Sequence, residues 1–249
     1  VGFLDGPLLP IGEADAYFEP ASSAESATLF EHGARAIDVS LATGRHGLPL
    51  IGTGDWNDGM NRVGANGAGE SVWLGWFLHL TLQHYIELAE VRGETARVAQ
   101  WRTHASRLAD ALAEAWDGQW YRRAYFDDGS PLGAASNTEC RIDSIAQSWS
   151  VISGVAPRDR ARRAMAAVTS QLMRPPGEDL LLLFAPPFGG GDLQPGYIRG
   201  YPPGIRENGG QYTHAAAWCV FAYALLGDAA QAVELLRRLN PIKIGRAHV

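Results

Sequence analysis

Residues 70–118 read ESVWLGWFLHLTLQHYIELAEVRG and then ETARVAQWRTHASRLADALAEAWDG. In the first segment Trp73, Trp76, Phe77, Leu80, Tyr85 and Leu88 recur at helical spacings, and Gly93 ends the run where a left-handed C-cap is expected. The second segment starts at once, keeps the helical period and ends at Gly118. A link this short forces the two helices to lie antiparallel.

The same arrangement recurs along the chain. Helices are expected over 143–154 and 157–173, turning at Gly154, and over 210–227 and 228–240, turning at Gly227. A further helix is expected over 22–41, opening on serine caps. In each pair one helix is rich in large apolar and small residues, and its partner carries Arg and Glu on one face. Inner and outer helices of a double-layered toroid have this pattern. WYRRAYFDDGS (120–130) reads as a hairpin or irregular strand. The segments 42–69, 118–142 and 174–209 are rich in Gly, Pro, Asp and Asn, and loops of that length in a compact domain usually carry function.

The chain has 249 residues, 46% hydrophobic and 19% charged, enough to bury a sizeable core. Its net charge of −6 and scattered arginines argue against nucleic acid or an anionic membrane as partner. Cys140 and Cys219 have no metal-ligand spacing and read as buried thiols of a reducing compartment. No metal site or cofactor is expected. No apolar run reaches the length of a membrane span and no signal peptide is visible, so this part of the chain is expected in the cytoplasm.

Two loops concentrate chemistry. GLPLIGTGDWNDGMNRVG (47–64) sets Asp55, Trp56, Asn57 and Asp58 side by side between glycines. An indole offers a flat apolar face to a sugar ring, amides bind hydroxyls, and a carboxyl buried against the indole stays protonated. The alternative is a glycine-rich turn whose aspartates cap backbone N–H groups. A calcium loop fits poorly, because DWNDG is one residue short and no glutamate follows at the twelfth position. GYPPGIRENGGQYTHAAAW (200–218) crowds Arg206, Glu207, Asn208, Gln211, Tyr212 and His214 against the start of an apolar helix. A helix N-terminus with Arg206 and His214 suits an anion such as phosphate. Capping by Asn208, a core role for His214 and a plain Arg206–Glu207 ion pair are the alternatives. In NTECRIDSIAQSWSVISG (137–154), core and capping roles for Arg141, Asp143, Gln147 and Trp149 outweigh direct catalysis.

These loops, with GESVWLGWF, resemble the signatures of glycoside hydrolase family 94, the inverting disaccharide and oligosaccharide phosphorylases. Within it they are most similar to the phosphorylase domain of cyclic β-1,2-glucan synthases. The resemblance runs over residues 1–242 and implies an all-α catalytic domain, an (α/α)6 barrel. It implies inverting phosphorolysis of a β-1,2-linked glucan, with inorganic phosphate as co-substrate and glucose 1-phosphate as product. By the same resemblance Asp58 corresponds to the general acid, Trp56 and Glu207 to substrate contacts, and His214 to a phosphate-holding histidine. The expected site then comprises Asp58, a substrate shell of Trp56, Asp55, Asn57, Glu207 and Gln211, and a phosphate pair of His214 and Arg206. A phosphorolytic enzyme needs only the acid, because phosphate is already an anionic nucleophile; an inverting hydrolase needs a second carboxylate as base. Alternative readings are a free-standing 1,2-β-oligoglucan or cellobiose-type phosphorylase, an inverting hydrolase on the same barrel, and a carbohydrate-binding barrel without activity.

The two ends carry a further expectation. Lys243 is the only lysine, and residues 243–249 read as a translated sequencing adaptor, which leaves residues 1–242 as part of a barrel. A sugar-gripping Arg/Asp segment is expected upstream and a Thr-Gly phosphate loop downstream, so the barrel is expected to be incomplete and its membrane context to lie in a longer parent chain.

Overall fold

In the computed structural model, residues 1–8, 16–175 and 178–240 are described. The chain is mostly helical and divides into two units, 1–42 and 43–249. The expected tail at 243–249 lies outside the described residues.

The first unit corrects one expectation. Residues 22–26, expected to open a helix, lie in a strand instead: β1 (Gly2–Asp5) pairs antiparallel with β2 (Ala21–Ser26). Helix α1 begins only at Leu29 and runs to Val39. Its cap is Thr28, whose hydroxyl accepts the Glu31 N–H, so the serines upstream are left to the strand.

Among its described residues the second unit holds three helical hairpins. A short strand β3 (Glu70–Ser71) leads into α2 (Val72–Arg92), and Ser71 caps the helix by accepting the Leu74 N–H. Gly93, at φ 74°, turns the chain into α3 (Thr95–Glu114). That helix stops short of Gly118 because the chain turns at once into an isolated pairing of Trp116 with Tyr121. The aromatic stretch forms the expected hairpin, β4 (Ala124–Tyr125) against β5 (Pro131–Leu132), with β4 also paired to β3. A further strand, β6 (Ile142–Asp143), precedes α4 (Ser144–Ile152) and α5 (Arg158–Leu172). It pairs with β7 (Phe184–Ala185). The last pair is α6 (Thr213–Leu225) and α7 (Ala229–Arg238), joined at Gly227 with φ 82°.

Helices α2 and α6 have no single apolar face, α4 is buried over nearly its whole length, and the three pack one against the next with α4 in the middle. Helices α3, α5 and α7 are amphipathic and pack chiefly on their own partners. The pairing of one apolar-rich helix with one amphipathic helix in each hairpin is the pattern expected from composition. The core between the last two hairpins gathers Met165, Val168, Leu172, Cys219, Ala222 and Leu235. Both cysteines are buried free thiols. No helix among the described residues is long and apolar enough to cross a membrane.

Candidate active site

The loop of residues 47–64 is held from beneath by a buried arginine. Arg123, just before β4, donates Nη1–H to Asp55 Oδ2 and Nη2–H to Asp55 Oδ1, both at 2.7 Å. Its Nε–H reaches Asp143 Oδ2 at 3.2 Å, and all three side chains are essentially without solvent exposure. Asp55 also accepts the Ser71 hydroxyl at 2.6 Å and the Asn57 N–H at 3.0 Å. One positive charge thus serves two carboxylates. Burial pushes the Asp55 carboxyl up, but the Arg123 charge and the converging donors outweigh it and hold the group below the usual carboxylate range. For Asp143 burial wins over Arg123 and the Ile145 N–H, and the carboxyl is pushed up to about 6. Arg123 itself is pushed up by its two anionic partners, against the effect of burial.

This geometry corrects the expectation that Asp55 touches sugar. Both oxygens are spent on Arg123, Ser71 and backbone, and the side chain is enclosed. It anchors the loop instead. Asn57 is also turned inward: its Oδ1 accepts the Gly59 N–H, while its buried Nδ2 has no partner. Asp143 caps α4 by accepting the Ile145 N–H, and the Gln147 amide bonds both the N–H and the carbonyl of Tyr121. Those are the core and capping roles read from the third segment.

Asp58, by contrast, is exposed at the start of a 3-10 turn, Asp58–Met60. The expected burial of this carboxyl against the indole is not seen. The turn is braced by a second 3-10 turn, Tyr197–Gly200. The Arg62 N–H donates to the Pro195 carbonyl, and the Tyr197 N–H to Asn61 Oδ1. A Cβ on Gly59 would sit 2.8 Å from that of Ile198, so only glycine permits this approach. Sequence reading missed the 195–200 segment, which carries no motif beyond its glycines.

The 200–218 loop arrives from the other side. Asn208 is buried, but it is not the helix cap. It accepts the Phe188 N–H and donates to the carbonyls of Phe188 and Tyr201, locking the loop. The cap position of α6 falls to Tyr212, which makes no capping side-chain bond, so the first N–H groups of α6 have no side-chain cap. Arg206 stands in the left-handed region at φ 51°, with its guanidinium 4.5 Å over the Tyr201 ring. Its Nε lies 3.4 Å from Glu207 Oε2, a buried oxygen with no hydrogen-bond partner. The plain ion pair is therefore present, and no contact joins Arg206 to His214. Gln211 Oε1 accepts the Leu181 N–H.

Trp56 joins the two loops. Its Nε1–H donates to His214 Nδ1 at 3.1 Å, and its ring meets those of Tyr212 and Trp218 at 5.2 and 5.5 Å. Trp218 continues the aromatic cluster to Trp149 and Trp73. The Tyr197 phenol is pushed up first by burial and then by the Asp58 charge, and the Tyr212 phenol first by burial and then by the Glu207 charge. Among the described residues no group of His, Cys, Asp and Glu is arranged to hold a metal ion.

A family model described as "Glycosyl hydrolase 94 superfamily, catalytic domain" matches residues 10–248. The chain is 52% identical to a cyclic beta-(1,2)-glucan synthase, NdvB, of Rhizobium meliloti (strain 1021), over 97% of this chain and 9% of that protein. It is 38% identical to a 3-O-beta-D-glucopyranosyl-beta-D-glucuronide phosphorylase of Paenibacillus borealis, over 88% of this chain and 28% of the relative. A solabiose phosphorylase of the same organism is 32% identical over 96% and 33%. The chain thus spans a third or less of the length of each of these relatives.

Proposed function

The chain belongs to the glycosyl hydrolase 94 superfamily, and from that premise we propose that it contributes the acid and the phosphate-holding groups of an inverting glycoside phosphorylase. Its three hairpins are part of an (α/α)6 barrel, and its substrate is a β-1,2-linked glucan. The higher identity to a cyclic glucan synthase than to the disaccharide phosphorylases supports that linkage.

In this reading Asp58 gives its proton to the glycosidic oxygen as the C1–O bond breaks. A phosphate oxygen attacks C1 from the opposite face, so glucose 1-phosphate leaves with inverted configuration. Phosphate is held by His214 and the uncapped start of α6, where the helix dipole and backbone N–H groups favour an anion. Trp56 packs on the sugar. Glu207 Oε2, which faces Arg206 Nε at 3.4 Å without a hydrogen bond of its own, takes a hydroxyl donor from the sugar. Arg206, expected on phosphate, instead holds Glu207 in place. Asp55 supports the acid loop from below, and Asn57 and Gln211 set the backbone of the two loops. No cofactor is called for.

The observation that carries the proposal is the Trp56–His214 hydrogen bond, which brings the acid loop to the N-terminus of α6. The test is release of glucose 1-phosphate from β-1,2-glucan by the intact protein, with and without inorganic phosphate. Asp58→Asn is expected to lower kcat by about 10²–10⁴-fold, and retention of more than about a tenth of the wild-type rate overturns the assignment. His214→Ala is expected to raise KM for phosphate far more than KM for glucan.

The charges of Asp58 and Glu207 act on the same two phenols, Tyr197 and Tyr212, which favours one second reading, an inverting hydrolase with Glu207 as base. That enzyme would release glucose rather than glucose 1-phosphate, at a rate independent of phosphate.

A further inference from the structure

Trp56 has an edge as well as a face. The indole N–H can only donate a hydrogen bond, so the 3.1 Å contact to His214 requires Nδ1 to be an acceptor without a proton. A neutral imidazole with an unprotonated Nδ1 carries its proton on Nε2. The contact therefore selects one of two tautomers. Both rings in it are packed by neighbours: the Trp218 ring centroid lies 4.2 Å from that of His214 and 5.5 Å from that of Trp56, and Tyr212 meets Trp56 edge-on at 5.2 Å. His214 is exposed on its remaining side, and among the described residues its Nε2 has no hydrogen-bond partner.

We infer that Trp56 is a positioning residue for the phosphate histidine: by occupying Nδ1 it fixes His214 as the Nε2–H tautomer and turns an N–H donor toward the anion at the start of α6. The opposite tautomer would present a lone pair to an anionic oxygen and repel it. Trp56 then serves both substrates, the sugar with its ring face and phosphate through the histidine. Only the identity of the anion rests on the proposed function; the tautomer is a property of the protein alone.

The inference is tested in two ways on the intact protein. Nitrogen NMR of histidine-labelled protein, assigned with His214→Ala, is expected to show an unprotonated Nδ1 and a protonated Nε2 for His214. In Trp56→Phe, which keeps an aromatic ring and removes the N–H, that preference is expected to be lost. In steady-state kinetics Trp56→Phe is expected to raise KM for inorganic phosphate about three- to tenfold, the worth of one hydrogen bond, with a smaller change in KM for glucan. A proton on Nδ1 in the wild-type protein overturns the inference. So does a Trp56→Phe enzyme whose phosphate KM is unchanged although His214→Ala raises it. If His214→Ala itself leaves phosphate KM unchanged, the assignment of phosphate to His214 fails, and the NMR measurement still decides whether Trp56 sets the tautomer.

Discussion

At the scale of single residues, the two aspartates of the 47–64 loop show how little residue type says about role. Asp55 directly precedes Trp56 and Asp58 follows it by two positions, yet one is enclosed by donors and the other faces solvent. The buried pair makes a prediction about pH. Burial pushes the folded Asp143 carboxyl up to about 6, whereas an unfolded aspartate titrates near about 3.9. Between those values the folded chain binds a proton that the unfolded chain releases, so the Asp143 contribution becomes more favourable as pH falls from about 6 to about 4. Asp55 is shifted the other way, and its contribution is lost only as pH falls below the ordinary aspartate range. Thermal melts of wild type and Asp143→Asn across this window are therefore expected to differ in slope, with the wild type gaining stability relative to the variant toward acid. Parallel curves would show that Asp143 is ionised throughout. The buried frame was not legible in the sequence, because Asp55, Arg123 and Asp143 lie far apart along the chain and only folding brings them to one point.

At the scale of elements, glycine carries much of the signal. The hairpin turns at Gly93, Gly154 and Gly227 all have positive φ, a conformation that L side chains rarely adopt, and this is why a helix, a glycine and a second helix could be read directly. Gly59 has a different reason, the 2.8 Å approach to the Ile198 Cβ, and that reason is tertiary. Gly59→Ala is expected to push the Asp58 turn away from residues 197–200 at a cost of about 1–3 kcal/mol. Catalytic rate is expected to fall well beyond the loss of stability, because the displaced group is the proposed acid, Asp58. Denaturation and kcat measured on the same sample check this; a variant with full kcat would show that the bracing is irrelevant to chemistry. The strand at Ala21–Ser26 was misread for a local reason. Ser22, Ser23 and Ser26 are all acceptable caps, and only pairing with residues 2–5 reveals that Thr28 is the one used.

At the scale of the whole molecule, the inner helices keep large apolar side chains in solvent. Phe77, Leu88 and Val91 on α2 and Phe221 and Leu225 on α6 are each 45% exposed or more. A chain of these 249 residues produced alone is expected to bind a hydrophobic dye while folded and to lose solubility with concentration. A monomer that melts cooperatively without dye binding would contradict this.

The sequence by itself determined the helical hairpins and the family, because each of these is written in local periodicity, glycine placement or contiguous motif. Tertiary structure alone decided which carboxylate of the DWND loop faces outward, that Asn208 locks a loop rather than caps a helix, and that Trp56 meets His214. Those outcomes depend on partners distant in sequence, and a buried charge or a shared hydrogen bond exists only once folding has brought the partners together.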